Sequence, residues 1–512
     1  MTADDFRRGS NRWEGRDWLI TAALFLAAFL IRIPFRTTLL YAWDSVLYTR
    51  AIEHFDVTAH QPQPPGHIFY VGLVWLVNRL FGDPNAAMVW ISIFFAAAAV
   101  AALYWLGRII FGRDAGLAAA LLLATSLSFW SLSEVALPYT LLGFLSTIVA
   151  GMIYLAWEGR GSWVLPAALA LALASGFRQD LLPFLLPLLA LGIWNRGRWR
   201  LAGAAGLLVL GIAAWYIPSA LLSGGFGPYR EASSSQSDYL MTYFSVFGIG
   251  AAALATNSYT LLRFLLSGLS AALALIPVFL LTVLLPRTRG RLWDGRLLFL
   301  AVWMAPSLLF YIFIHIGEFG YVFSFLPAAL LLGVRGLRIF AGRLAEMKAG
   351  KSDTAVQAAN ATRLAQWIVS GLVMAMVAVN LLLFLIMSPP LSANRLAARD
   401  GILRSKIDTI KVRFKPDSTF IVAVFDYQQA SYYLPGYRHW CFDPSVEQDP
   451  SIELPPGVDK VIIFEEYLSS ADGQRAYTLP LSHDQKLIYL DPAGKRSVRV
   501  DWDMRKVFLE DE

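Results

Sequence analysis

The chain has 512 residues, of which 57% are hydrophobic and only 16% are charged, and its mean hydropathy is +0.52. Soluble proteins carry about 25% charged residues, so this composition excludes a soluble multidomain protein and indicates a polytopic α-helical membrane protein. The single cysteine, Cys441, excludes an intramolecular disulfide and a multi-cysteine metal site. The net charge of +6 comes from arginines in short loops, which fits membrane topology better than nucleic-acid binding.

Arginine-rich segments predict the topology. Arg7, Arg8, Arg12 and Arg16 precede the first apolar run, which indicates a retained first span and a cytoplasmic N-terminus. Segment 66–82 is apolar but short, and every later arginine-rich loop becomes cytoplasmic if this segment lies along the outer interface. The alternative is a short true span, which gives about twelve spans. The preferred arrangement has about eleven, at 17–36, 86–107, 115–132, 138–157, 163–177, 181–194, 200–222, 259–285, 296–314, 319–340 and 365–387.

The composition becomes that of a soluble protein after the last span. We therefore predict a transmembrane catalytic unit at 1–390, with a first outer loop at 37–85, and an extracytoplasmic α/β domain at 391–512. In the second unit, "STFIVAVFDYQQASYYLPGY" predicts a strand and then a helix, and "VDKVIIFEEYL" predicts another strand followed by a helix start. The segments "QKLIYL" and "RSVRVDW" predict further strands.

Polar residues collect on the predicted outer face and are almost absent from the middle of the spans. Arg32 is expected to extend its charge toward the interface, and Asn380 to hydrogen-bond between helices. A transporter or lipid flippase, the alternative function, predicts charges in mid-membrane and mirrored halves, and the sequence shows neither. The outer residues instead favour a reaction at the outer membrane–water boundary. The candidate site residues are Asp44, Glu134, His60, Arg178, Asp180, His315, Glu318 and Tyr321.

Two acids are the candidates for catalysis. Asp44, in "AWDSVLYTRAI", is a potential general base for an acceptor hydroxyl, and its alternative role is a helix cap. Glu134, in "SLSEVALPYT", could help to hold the acceptor or a cation beside Asp44, or could be an ordinary loop charge.

The remaining candidates suit substrate binding. Arg178 and Asp180 form either a structural ion pair or an arginine site for phosphate. His60 could bind phosphate or fix the turn "HQPQPPGH", while His315, Glu318 and Tyr321 could line the same cavity. A zinc site built from the histidines of the first loop is disfavoured by their irregular spacing.

Four segments resemble the GT-C class of membrane glycosyltransferases, especially its protein O-mannosyltransferase-like and aminoarabinose-transferase-like members. These segments are "AWDSVLYTRAI", "HQPQPPGHIFYVGLVWLVNRLFG", "SEVALPY" and "HIGEFGYVFSFLPAALLL". Ser45 stands where the family often has the second acid of an Asp-Glu pair, and Glu134 stands where many members have Asp. The resemblance covers about residues 1–390, and the C-terminal domain matches only in being external.

The resemblance implies a donor sugar linked to polyprenyl phosphate, whose phosphate leaves as a hexose or pentose is transferred with inversion. The acceptor would be a lipid-linked glycan, a polysaccharide or a protein, and the location the bacterial inner membrane. Asp44 would be the base, and Arg178, with His60 and His315, would bind the phosphate. An alternative within the class is a divalent cation, Mg²⁺ or Mn²⁺, held by Asp44 and Glu134. The paired acids characteristic of such metal-dependent oligosaccharyltransferases are not evident here, so no cofactor is firmly implied.

Overall fold

The computed structural model of this protein describes residues 14–349, 355–442, 451–465, 468–470, 474–480, 482–492 and 494–502. The helices that it contains are α1 (Gly15–Leu30), α2 (Trp43–Glu53), α3 (Ile68–Phe81), α4 (Pro84–Phe111), α5 (Arg113–Thr125), α6 (Leu127–Ser131), α7 (Tyr139–Trp157), α8 (Val164–Phe177), α9 (Leu181–Ile193), α10 (Arg198–Leu222), α11 (Phe226–Tyr243), α12 (Val246–Ile249), α13 (Ala251–Leu269), α14 (Leu275–Leu284), α15 (Pro286–Leu292), α16 (Gly295–Phe313), α17 (Leu326–Ala349), α18 (Ala355–Leu385), α19 (Ala393–Arg413) and α20 (Tyr427–Tyr433). The strands are β1 (Thr419–Ala423), β2 (Arg438–Cys441), β3 (Ser451–Glu453), β4 (Lys460–Ile463), β5 (Leu468–Ser469), β6 (Gln474–Leu479), β7 (Ser482–Leu490), β8 (Ser497–Arg499) and β9 (Asp501–Trp502).

Long apolar helices dominate the first unit, which makes this chain a multi-pass membrane protein. Among the described residues, seven helical stretches are long and apolar enough to cross a membrane: Gly15–Phe35, Pro84–Phe111, Tyr139–Trp157, Arg198–Leu222, Ala251–Leu284, Gly295–Phe313 and Ala359–Leu385. Of the other predicted spans, 163–177 and 181–194 coincide with shorter helices, 115–132 with an interrupted one and 319–340 mainly with α17, so the number of eleven spans remains a prediction.

Two predicted spans are interrupted by serine-rich breaks. The span at 115–132 divides into α5 and α6 at Ser126, and the span at 259–285 divides around residues 270–274. Ser126 Oγ donates to the Gly268 carbonyl at 2.6 Å, and Ser270 Oγ accepts the Leu127 amide at 2.9 Å. The two breaks therefore satisfy each other's backbone groups, which is what non-helical backbone requires at membrane depth.

Helix α3 corresponds to segment 66–82, for which the sequence allowed either a position along the outer interface or a short true span. Its 14 residues span about 21 Å, which is shorter than the roughly 30 Å of a bilayer core. Tyr70, Val71 and Val74 are buried and pack with α2 and α4. The length agrees with the predicted position along the outer interface, which remains a prediction.

The predicted polar outer loop after span seven contains a helix, α11, that was not predicted from the sequence. Helix α11 occupies most of the segment "SGGFGPYREASSSQSDY", directly after Gly224 and Gly225, which both have positive φ. Only glycine adopts such angles readily, so this pair can reverse the chain between α10 and α11. Tyr229 on α11 donates to the Pro65 carbonyl at 2.7 Å and so fixes the helix against the first loop.

The C-terminal unit is a small α/β domain whose main sheet has the order β2-β1-β4-β7-β6. Strand β1 is parallel to β2 and β4, while β7 is antiparallel to β4 and β6. The predicted strand and helix in the first segment are confirmed as β1 and α20. The predicted strands in "QKLIYL" and "RSVRVDW" are confirmed as β7 and as β8 with β9. The predicted helix start after β4 is wrong, because in the described part of that segment β4 is followed by β5, whose Leu468 pairs with Trp502.

A buried ion cluster fixes the end of α1 that lies opposite the first loop. The Asp17 carboxylate contacts Arg108 at 2.8 Å and Arg113 at 2.9 Å, and it accepts the Tyr104 hydroxyl at 3.0 Å. These partners join α1, α4 and α5. Removing one partner of a buried ion pair costs far more than removing a surface pair.

We expect Asp17→Asn to lower the melting temperature in detergent by about 5 °C. The matched control is Glu14→Gln, which removes the exposed partner of Arg113 and should lower it by less than about 1 °C. Equal effects of the two substitutions, measured by thermal unfolding, would contradict the role given to the buried cluster.

Candidate active site

Asp44 lies in the first turn of α2, near the beginning of the predicted first outer loop. Helix α2 begins at Trp43, its N-cap is Ala42, and the Ser45 hydroxyl, not Asp44, accepts the Ala42 amide at 3.2 Å. Ser45 Oγ donates to the Ala136 carbonyl at 2.9 Å, which ties the helix start to the segment after Glu134. The alternative role of Asp44 as a capping residue is therefore not what the structure shows.

The environment of Asp44 suits a general base. Burial raises the pKa of Asp44, and the positive charge of Arg178 opposes that shift. Among the described residues, none donates a hydrogen bond to this carboxylate, and the residue is partly exposed. Its lone pairs are thus available to a substrate hydroxyl, and a raised pKa brings its basicity closer to that needed for proton abstraction.

Arg178 lies directly after α8 and is buried in the same cluster. Its Nε and Nη2 donate to the two carboxylate oxygens of Asp180, at 3.4 and 2.9 Å. Its guanidinium lies over the rings of Tyr139 and Tyr321, with distances of 5.5 and 5.1 Å to the ring centres. The structural ion pair considered from the sequence is present, and it uses only one side of the planar guanidinium. Nη1 has no acceptor among the described residues and suits a phosphate oxygen.

Tyr321 and Tyr139 complete the wall around the arginine. A Cβ atom at Gly320 would lie 2.0 Å from Cγ of Tyr139, so only glycine permits this close approach. Tyr311 donates its hydroxyl to the Tyr321 carbonyl at 2.9 Å and fixes the loop between α16 and α17. The Tyr321 hydroxyl can donate a hydrogen bond.

His315 and Glu318 lie at the edge of this cluster. The His315 ring centre is 6.4 Å from that of Tyr321 and 5.0 Å from that of Phe244. Burial lowers the pKa of His315, so the ring is neutral at pH 7. The Tyr321 amide donates to the Glu318 carbonyl at 3.0 Å, which holds the two residues in one turn.

His67 and Tyr48 belong to the cluster although they were not among the predicted site residues. Their ring centres are 5.9 Å apart, and burial, with the charge of Arg178, lowers the pKa of His67 to about 3. The structure does not bring His60 to this site: it is exposed, and its Nδ1 bonds to Gln63 at 2.7 Å. The contact with Gln63 lies within the proline-rich turn, so it fits the alternative role of His60, which is to fix that turn.

The structure places Glu134 in a different buried cluster. Both of its carboxylate oxygens are buried without a hydrogen-bond partner among the described residues. Burial raises the pKa of Glu134 well above its usual range, and the nearby Arg32 opposes the shift. Arg32 itself donates to Ser133 Oγ at 2.8 Å and to two backbone carbonyls. The expectation that Arg32 extends toward the interface is wrong, because its side chain is fully buried.

The different neighbours of Asp44 and Glu134 matter for the alternative, considered from the sequence, in which the two acids hold a divalent cation. No group of three His, Cys, Asp or Glu side chains with metal-binding geometry occurs in the described part of the chain. The Asp44 carboxylate is influenced by Arg178, whereas Glu134 is influenced by Arg32 and Arg36. The divalent cation remains an alternative that the described residues do not test, and we assign no catalytic step to it.

Comparison with known proteins agrees with this architecture. The family described as dolichyl-phosphate-mannose-protein mannosyltransferase matches residues 63–221. ArnT from Cupriavidus metallidurans bound to undecaprenyl phosphate has a TM-score of 0.52 and 14% identity, over 93% of this chain and 98% of that chain. The chain has the GT-C fold. The apo structure of the same ArnT matches this GT-C protein with a TM-score of 0.52 and 12% identity, over 92% and 97% of the two chains. A search of curated protein sequences finds no significant match.

The predicted GT-C resemblance is thus confirmed at the level of the fold, and the site lies where four separate chain segments converge. Asp44 comes from the first loop, Tyr139 from the start of α7, Arg178 and Asp180 from the α8–α9 turn, and Tyr321 from the loop before α17. Sequence analysis missed Tyr139, whose only signal is an aromatic residue placed directly after Pro138 at the start of a span.

We expect substitutions of Asp44 and Glu134 by the corresponding amides to have different effects on turnover. Asp44→Asn should reduce turnover by at least about 100-fold at an unchanged melting temperature, because it removes a base. Glu134→Gln should change turnover per folded molecule by less than about threefold, because Glu134 faces Arg32 and not the residues around Arg178. Loss of turnover in Glu134→Gln at normal stability would return Glu134 to the reaction.

Proposed function

We propose that this protein is an inverting glycosyltransferase that moves a sugar from polyprenyl phosphate to an acceptor hydroxyl at the outer face of a bacterial inner membrane. The observation that carries the proposal is the pairing of a carboxylate free to accept a proton, Asp44, with a buried arginine, Arg178, in one cluster. The family match and the GT-C fold support the same class of donor. The arginine-rich loops support the orientation.

The proposed reaction uses Asp44 as the base and Arg178 as the group that binds the leaving phosphate. Asp44 accepts the proton of the acceptor hydroxyl, whose oxygen attacks the anomeric carbon. A new glycosidic C–O bond forms while the C–O bond to phosphate breaks, and the electron pair leaves with polyprenyl phosphate. The guanidinium of Arg178 stabilises the negative charge that develops on the leaving oxygen. Attack by the activated hydroxyl on the side opposite the phosphate, with no covalent enzyme intermediate, inverts the anomeric centre.

The donor chemistry accounts for the residues around Arg178. A phosphodiester bound at Nη1 would lie beside Tyr321, whose hydroxyl can donate to it. His67 and His315 are neutral in this environment, so they add hydrogen bonding without adding charge. The acceptor would approach Asp44 from its exposed side. We leave the acceptor class as a lipid-linked glycan, a polysaccharide or a protein.

The test is sugar transfer by the purified protein in detergent with a panel of polyprenyl-phosphate hexoses and pentoses. We expect release of polyprenyl phosphate from one donor with the wild type and with Glu53→Gln, which changes an exposed acid at the end of the same helix. Asp44→Asn should bind that donor and fail to turn it over. Equal turnover by Asp44→Asn and wild type would remove Asp44 from the mechanism, and no turnover of any donor by the wild type would contradict the proposed function.

The pH dependence gives a second test. Asp44 works only when it is deprotonated, so turnover falls as the pH drops through its pKa, which burial places above its usual value of about 4. Arg178→Gln removes the charge that lowers this pKa, so the acid limb should move to higher pH, and donor KM should rise about tenfold or more. The matched control is Arg230→Gln on exposed α11, which should alter neither quantity. An unchanged acid limb in Arg178→Gln would contradict the coupling of the two residues.

A further inference from the structure

The segment that leads into α2 is held by the C-terminal domain almost residue by residue. Asp400 on α19 accepts the backbone amides of Thr38 at 3.0 Å and Leu39 at 2.9 Å. It also accepts the Thr38 hydroxyl, which in turn accepts a hydrogen bond from Arg404. One carboxylate therefore satisfies three donors at the start of the first outer loop.

Helix α20 holds the next two residues. The Tyr433 hydroxyl accepts the Leu40 amide at 2.8 Å, and Gln429 donates to the Tyr41 carbonyl at 3.2 Å. Trp43, at the first position of α2, packs against Tyr427 with ring centres 6.1 Å apart. Every residue from Thr38 to Tyr41 thus makes a main-chain hydrogen bond to α19 or α20.

Arg399 connects these contacts to the sheet. Its Nη2 donates to the Tyr41 carbonyl at 3.2 Å and forms an ion pair with Asp426 at 3.1 Å. Asp426 follows β1, and its amide donates to the Glu465 carboxylate at 2.9 Å, just after β4. The contact with the first loop is therefore built on the carboxyl ends of two neighbouring strands of the main sheet.

The membrane unit holds the same segment from the other side. Thr37 donates its amide and its hydroxyl to the Glu134 carbonyl at 2.9 and 3.0 Å, and its own carbonyl accepts from Asn85 at 3.1 Å. Residues 37–41 are therefore fixed between the two units, and Asp44 follows three residues later. The direction in which α2 leaves this segment decides where the Asp44 carboxylate lies relative to Arg178.

We propose that Asp400 is a positioning residue for Asp44 and that the C-terminal domain is an integral part of the catalytic site. This inference rests on the proposed function, because it assigns the domain a role in placing the base. A displacement of about 1 Å in a reacting group can cost on the order of 100-fold in rate. Asp400→Ala removes all three hydrogen bonds to the loop, whereas Asp400→Asn retains a carbonyl oxygen for the two amides.

The experiment compares wild type, Asp400→Ala, Asp400→Asn and the control Asp408→Ala, an exposed acid about two turns further along α19. Turnover is expressed per donor-binding site, so that a loss of folded protein does not count as a loss of rate. Hydrogen–deuterium exchange of amides 38–45 is measured on the same samples, and it needs no substrate.

We expect Asp400→Ala to exchange amides 38–45 faster and to turn over at least about tenfold more slowly per site, with donor KM within about twofold of wild type. Asp400→Asn should recover most of the rate, and Asp408→Ala should match the wild type. Unchanged exchange in Asp400→Ala would show that the hydrogen bonds from Asp400 do not hold the segment 38–45 in place. Faster exchange with normal turnover would overturn its role in positioning Asp44. If the wild type transfers no sugar, the proposed function fails, and the exchange measurement alone still decides whether Asp400 holds the loop.

Discussion

The ion pair of the buried Arg178 with Asp180 is the interaction on which the site depends. Asp180 holds the guanidinium through two of its nitrogens, and two tyrosine rings cover its faces, so its position is fixed before any substrate binds. The positive charge of Arg178 favours the ionised form of Asp44 and opposes the rise in pKa that burial causes there. The same charge can stabilise a leaving phosphate, because its remaining donor is not used by the described residues.

Much of the fold could be predicted because a membrane imposes strong patterns on a sequence. Seven of the predicted spans coincide with helical stretches long and apolar enough to cross a membrane, whereas the number of eleven and the orientation given by the arginine loops remain predictions. The interruptions at Ser126 and Ser270 could not be predicted, because a serine in an apolar run also occurs within unbroken helices. The bond between Asn380 Oδ1 and the Ala271 amide, at 2.8 Å, does match the predicted role of Asn380 between helices.

The site was predicted in part, since a list of outer polar residues does not say which of them meet. Asp44, Arg178, Asp180 and Tyr321 converge, with His315 and Glu318 at the edge. Glu134 and His60 could not be separated from them by spacing, because the difference arises from tertiary contacts, with Arg32 in one case and Gln63 in the other. The role of Asp400 was equally invisible, because its partner Thr38 lies 362 residues away in the sequence.

The stereochemistry of transfer tests the central claim most directly, because a single base and a phosphate leaving group require in-line displacement. NMR of the product formed from a donor of known anomeric configuration would give the answer. The arrangement of Asp44 and Arg178 predicts complete inversion at the anomeric carbon. Retention would require a covalent intermediate or a second nucleophile, and would contradict the assignment of Asp44 as a general base.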